Sequence, residues 1–68
     1  MKTLHWEQEG GYNYVWLREE NGFNWAGVKM KKPHTIEIWT GRFFVPQEME
    51  YDNIDEAKAV AEALVAMR

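Results

Sequence analysis

Two histidines, eleven carboxylates and three threonines are the groups in this 68-residue chain that acid–base, nucleophilic or metal chemistry would draw on. Cysteine and serine are both absent, which removes thiol and serine nucleophiles, disulfides and thiolate zinc sites together. Thr3, Thr35 and Thr40 stand in no pattern that pairs a hydroxyl with a base. Histidine is the side chain suited to proton transfer near neutral pH, yet His5 and His34 each fall beside a strand end or turn, where a solvated imidazole is expected. Carboxylates pair at Glu7/Glu9, Glu19/Glu20 and Glu48/Glu50. The pairs two residues apart share one strand face, and a charged edge that discourages strand-to-strand aggregation accounts for them more simply than catalysis does. Glu48, Glu50, Asp52 and Asp55 lack the spacing and the glycine of a calcium loop. Gly10-Gly11 and Asn21-Gly22 read as hairpin turns rather than phosphate loops. No enzyme, cofactor or metal is expected from this inventory.

Side chains act only where backbone elements place them, and the elements follow from turn signals. Runs of β-formers at Thr3 to Gln8, Tyr12 to Glu19, Phe23 to Met30, Thr35 to Thr40 and Arg42 to Val45 are separated by Gly10-Gly11, Asn21-Gly22, Lys31-Lys32-Pro33 and Gly41, with Pro46 expected to stop the last. The pattern then changes period. Asn53 is a favoured N-cap, and Ile54, Ala57, Val60, Ala61, Leu64, Val65 and Met67 recur at spacings of three and four, which predicts a helix over about 54–67. Lys58 and Glu62 are expected to pair on its polar side. Strands first and helix last make a single α+β domain: a curved antiparallel meander of four or five strands within residues 3–45, with one C-terminal helix on one face.

One helix covers one face of a sheet, so strand parity decides which side chains it buries. Val15 and Leu17, Ala26, Val28 and Met30, Ile36 and Ile38, and Phe43 and Val45 form an aliphatic set that suits an alanine-rich helix. The opposite set is Tyr12, Tyr14, Trp16, Phe23, Trp25, Trp39 and Phe44, interleaved with Arg18, Lys29, Glu37 and Arg42. Seven large rings in water exceed the apolar patch a monomer usually shows. Three arrangements would cover them: closure of the curved sheet over its own rings, a homodimer, or a ligand or partner. A bulge would flip the parity downstream of it, with Gly10, Gly11 and Gly27 as the expected sites.

The charge of −3 argues against a whole surface built for nucleic acid or membrane. It is unevenly spread. Residues 29–42 hold four bases against Glu37 alone, a net of +3, which leaves −6 for the rest of the chain. Bases interleaved with rings are what single-stranded nucleic acid binding uses. The acidic stretch of Glu48, Glu50, Asp52, Asp55, Glu56 and Glu62 suits instead a basic groove on another protein. No apolar run precedes Glu7, so neither a signal peptide nor a membrane span is expected, and a cytoplasmic setting is.

The tryptophan-containing short strands, the glycine turn at Gly41 and the terminal helix Asn53-Ile54-Asp55-Glu56-Ala57-Lys58-Ala59-Val60-Ala61-Glu62 resemble small proteins encoded by bacteriophages and mobile elements. Some of those inhibit host enzymes or defence systems, so the resemblance implies a protein-binding role and assigns no site. The expectation is therefore a non-enzymatic binding module for another protein. Tyr14, Trp16, Trp25, Trp39 and Phe44 are its anchors, with Arg18, Lys29 and Arg42 as a polar rim. The alternatives are a single-stranded nucleic acid binder using the same face with Lys31 and Lys32, and an obligate homodimer in which the face is structural.

Overall fold

Turn chemistry sets the strand order. The structure, a computed structural model, describes residues 3–8 and 13–67. Five strands, β1 (Leu4–Gln8), β2 (Tyr14–Glu19), β3 (Asn24–Lys29), β4 (His34–Trp39) and β5 (Phe44–Tyr51), are followed by α1 (Ile54–Ala66). They form one open antiparallel sheet in the order β1-β2-β3-β4-β5, a meander in which every neighbour in sequence is a neighbour in space. Gly22 and Gly41 make two of the reversals possible, with φ of 93° and 101°. Gly22 ends a loop closed by Glu19 N–H donating to Phe23 O and Gly22 N–H to Glu19 O, both at 2.9 Å. Gly41 takes the first central position of the Thr40–Phe43 turn, the place where a type II′ hairpin requires positive φ. The β1–β2 reversal expected at Gly10-Gly11, and Tyr12, lie outside the described residues.

The aliphatic set is the core. Val15, Leu17, Ala26, Val28, Ile36 and Ile38 form one buried cluster with Ala57 and Ala61 of the helix. Both alanines are fully buried, and their small side chains let the helix axis approach the sheet closely. α1 lies mainly over β3 and β4 and meets β5 less. Asn53 caps it, its Oδ1 accepting from the Asp55 and Glu56 backbone N–H at 2.8 and 3.1 Å.

Four sequence expectations are corrected. β5 does not stop at Pro46 but runs through it to Tyr51. A proline is tolerated there because β5 is an edge strand, with a neighbour on one side only. β5 also starts later than expected: Arg42 and Phe43 belong to the turn, and Phe43, assigned to the aliphatic core set, is exposed. His34 is buried at the start of β4 rather than solvated. Its Nδ1 lies 2.9 Å from the Lys29 carbonyl oxygen, which can only accept, so Nδ1 carries the proton. Finally, Lys58 and Glu62 do not pair with each other; both engage Trp6 of β1. Glu62 Oε2 accepts from the indole N–H at 2.8 Å, and Lys58 Nζ sits 5.6 Å from the ring centroid.

The irregularities also fall elsewhere than glycine suggested. Leu17 pairs Ala26 while Arg18 pairs Asn24, so Trp25 is an extra residue in β3. Glu37 pairs Pro46 while Thr35 pairs Glu50, which places two extra residues in β5. Two extra residues restore parity, so Val45 and Tyr51 stay on the helix side. Gly27 is regularly paired with Trp16 and Glu37.

The alanine contact with the sheet has a measurable corollary. Ala61→Leu adds three carbons where no space exists and should cost about 1–3 kcal/mol through overpacking. A lowered urea midpoint at unchanged slope is the expected result.

Candidate functional site: an aromatic sheet face

Alternation of side chains carries the rings of four neighbouring regions to the face the helix leaves open. Tyr14 and Trp16 come from β2, Trp25 from the bulge of β3, Trp39 from the end of β4 and Phe44 from the start of β5. Phe23, in the β2–β3 turn, joins them. Their centroids form an unbroken chain: Tyr14–Trp16 at 5.6 Å, Trp16–Phe44 at 5.3 Å, Phe44–Trp39 at 5.2 Å, Trp39–Phe23 at 5.9 Å and Phe23–Trp25 at 5.1 Å. The first pair is stacked, with 22° between planes, and the others are inclined by 57–83°. These are the offset and edge-to-face geometries that ring quadrupoles favour, each pair contributing about 0.5–1.5 kcal/mol beyond burial.

Gly27 permits the centre of this arrangement. It lies across the sheet from Trp16, whose ring folds down over it. A β-carbon there would meet Trp16 Cζ3 at 2.5 Å and Cε3 at 2.8 Å, closer than side chains approach one another. The row Glu7, Trp16, Gly27, Glu37, Pro46 thus crosses the whole sheet with one indole lying flat over bare backbone.

Carboxylates take the polar edges of the rings. Tyr14 donates its hydroxyl to Glu37 Oε2 at 2.9 Å, and Trp25 Nε1 donates to Glu19 Oε2 at 2.8 Å. At the β1 corner, Glu7 receives His5 Nε2 at 2.9 Å and Arg18 Nη1 at 3.2 Å, while Arg18 Nε donates to Asn24 Oδ1 at 2.7 Å. The His5 hydrogen bond, followed by the Arg18 charge, holds the Glu7 carboxyl below its ordinary value. Partial burial, then the Glu37 hydrogen bond and charge, push the Tyr14 phenol above its ordinary value.

The rings are neither core nor bare. Tyr14, Trp16, Trp25, Trp39 and Phe44 are half-buried by one another on an open sheet, and Phe23 is 37 % exposed. Mutual packing, not closure of the sheet, reduces the patch that the six described rings would make if free. No family model, curated protein or solved structure matches the chain. The face must therefore be read from its own chemistry.

Five of the eight residues singled out from the sequence, Tyr14, Trp16, Trp25, Trp39 and Phe44, come together as one surface. Arg18 stands at its β1 side, bonded to Glu7 and Asn24, and Lys29 pairs across from Tyr14. Arg42 is an exposed turn residue. The basic segment 29–42 is divided by the length of β4, about 20 Å for six residues: Lys31 and Lys32 are exposed in the turn before it and Arg42 in the turn after it. Phe23, absent from the predicted anchors, links Trp39 to Trp25; its parity beside Trp25 was the available signal. Glu19 was missed because nothing local to a Glu19/Glu20 pair reveals an indole partner on the next strand. Among the described residues, no group of three or more His, Asp or Glu is placed to hold a metal.

Two measurements test this geometry. Gly27→Ala should destabilise by about 1–3 kcal/mol, and by much less in a Trp16→Ala background, because the clash is with that ring alone; additive costs in the double-mutant cycle would contradict the packing described. For Tyr14, a difference spectrum between the wild type and Tyr14→Phe at alkaline pH should show the lost phenol titrating above pH 10. The folded state prefers the protonated phenol. Its contribution is whole below the unfolded value and disappears as pH rises through the raised one.

Proposed function

We propose that this chain is a non-enzymatic binding module that docks another protein on the aromatic face of its sheet. One observation carries the reading: six rings in unbroken contact, half-exposed, on the sheet face opposite the helix, which no other described element covers. Preassembled rings lose little further side-chain entropy on binding, which is why tryptophan and tyrosine dominate interface hot spots. Trp39, Phe44 and Phe23 are the central anchors in this reading, with Trp25, Tyr14 and Trp16 supporting them and Arg42, Lys29 and Arg18 at the rim. An inhibitor or accessory protein of bacteriophage type is the form that the resemblance favours. A cytoplasmic setting belongs to the same proposal, since a cysteine-free chain needs no oxidising compartment. No helix among the described residues is long and apolar enough to cross a membrane.

Protein is favoured over single-stranded nucleic acid by charge. Glu7, Glu19 and Glu37 lie among the rings and would repel phosphates, Arg18 is engaged by Glu7 and Asn24, and Lys31 and Lys32 stand at the opposite end of β4 from Arg42. The rings also present inclined planes rather than a row of parallel faces for successive bases.

The experiment begins with sedimentation at micromolar concentration, where a monomer is expected and a dimer would move the face to a structural role. Addition of a mixed-sequence single strand at low salt should leave tryptophan emission unchanged; saturable quenching would transfer the reading to nucleic acid. A photo-crosslinking residue at Arg42 then identifies the bound protein, which is purified and titrated. Trp39→Ala and Phe23→Asp should each weaken that binding about tenfold or more while the thermal transition is retained. Wild-type affinity in both variants would overturn the proposal.

A further inference from the structure

An open sheet has two edges, and each edge strand presents backbone N–H and C=O groups that its one neighbour does not use. At β5, which α1 meets only along a shallow seam, that row is interrupted. Pro46 has no N–H, and the two extra residues opposite Thr35–Glu37 break the regular run of backbone groups. β1 carries neither defence. Its five residues, Leu4 to Gln8, pair one to one with β2 without a shift, contain no proline, glycine or lysine, and have no described element on their far side. The one carboxylate in β1, Glu7, already receives His5 Nε2 at 2.9 Å and Arg18 Nη1 at 3.2 Å, so its charge is a weak barrier to another strand. Trp6 gives its indole N–H to Glu62, which draws the ring toward α1 and away from the outer edge.

The side-chain order of β1 is also complementary to itself. Turned antiparallel about Trp6, a second β1 sets Leu4 against Gln8, Trp6 against Trp6 and His5 against Glu7 of the other copy. Residues opposite one another on one face stand about 5 Å apart, so each Glu7 meets an imidazole across the junction as well as the one in its own chain. A slip of two residues loses both pairs: in one direction it sets Glu7 against Glu7, in the other His5 against His5. Alternate residues of an edge strand turn both backbone groups outward, so the register about Trp6 closes at least about four backbone hydrogen bonds.

We infer that the free edge of β1 receives β1 of a second copy of this chain, in antiparallel register about Trp6, joining two sheets into one. The two-fold axis passes through the sheet, so both helices lie on one side and both aromatic faces on the other. The contact covers none of the six rings and stands apart from the function proposed above. Five residue pairs bury much less than the roughly 800 Å² per partner of a standard interface, so the chain is monomeric at micromolar concentration and pairs toward millimolar. A target that holds two aromatic faces side by side raises the effective concentration into that range.

The test is dilution of the isotope-labelled whole chain from about 1 mM to about 10 μM, with sedimentation at both ends. The amide resonances of Leu4 to Gln8 should shift with concentration, the mass should rise toward that of two chains in the concentrated sample, and hydrogen exchange in β1 should slow there. A mixture of labelled and unlabelled chains should show contacts between Trp6 of one copy and Trp6 of the other. His5→Glu sets acid against acid across the junction, and Glu7→Lys sets lysine against imidazole; both replace exposed side chains. Each variant alone should dimerise about fivefold or more weakly with its thermal transition retained, and the two mixed in equal amounts, which restores opposite partners, should pair at least as well as the wild type. Trp39→Ala should dimerise as the wild type does, which separates failure here from failure of the aromatic face. Unchanged mass up to about 1 mM, concentration-dependent shifts confined to the aromatic face or to β5, or a mixture no stronger than its two components would each overturn the inference.

Discussion

A single thirteen-residue helix has to serve a five-stranded sheet, and the rest of the molecule follows from that mismatch. The helix is about 20 Å long and about 10 Å across, and strands about 4.8 Å apart spread the sheet roughly 19 Å between its outer strands. It can cover two or three strands of one face. Sitting over β3 and β4, it leaves β1 and β5 at the margins and does not reach the opposite face. Each consequence has its own solution. β1 is tied to the helix by the Trp6 indole held between Lys58 and Glu62, β5 is left with a seam, and the far face is roofed by its own rings.

The two faces solve the same burial problem with opposite materials. On the helix side, buried alanines opposite Ala26, Val28 and Ile36 bring two backbones close together, and the small residues are on both layers. On the ring side, one glycine lets the largest side chain lie flat, and the neighbouring rings then have something to lean on. Carboxylates from three different strands collect the indole and phenol hydrogens and the Arg18 charge, so the rings are oriented by polar bonds at their edges as well as by contact at their faces. A stripe of side chains becomes a shaped surface in this way.

Much of this was legible in the chain because it is periodic. Val15 and Leu17 against Trp16, or Ile36 and Ile38 against Glu37 and Trp39, declare their faces by alternation alone, and Asn53 announces the helix by its capping chemistry. What was not legible depends on neighbours distant in sequence. Pro46 reads as a stop until β5 is known to be an edge. The extra residue at Trp25 carries no glycine to mark it, since the bulge is imposed by pairing with Arg18. His34 looked solvated because it follows a proline turn, but the Lys29 carbonyl and the start of β4 enclose it. Lys58 and Glu62 match an ordinary helical ion pair, and only the return of β1 reveals an indole between them.

The Trp6–Glu62 bond joins residues 56 positions apart, whereas every strand pair in the meander is a local hairpin. Loop closure over such a span costs more entropy than any of the four reversals, although the cost grows only as the logarithm of length. The clasp therefore belongs late in folding, after the hairpins have formed and the helix has settled on β3 and β4. Until it forms, β1 is held by its ladder with β2 and by the packing of Leu4 and Trp6 against the core. In kinetic terms the clasp contributes to the unfolding rate and little to the folding rate, and a φ-value near zero at Glu62 would be its signature. A protein this small would then owe its persistence in the folded state partly to one indole hydrogen bond between its first strand and its last helix.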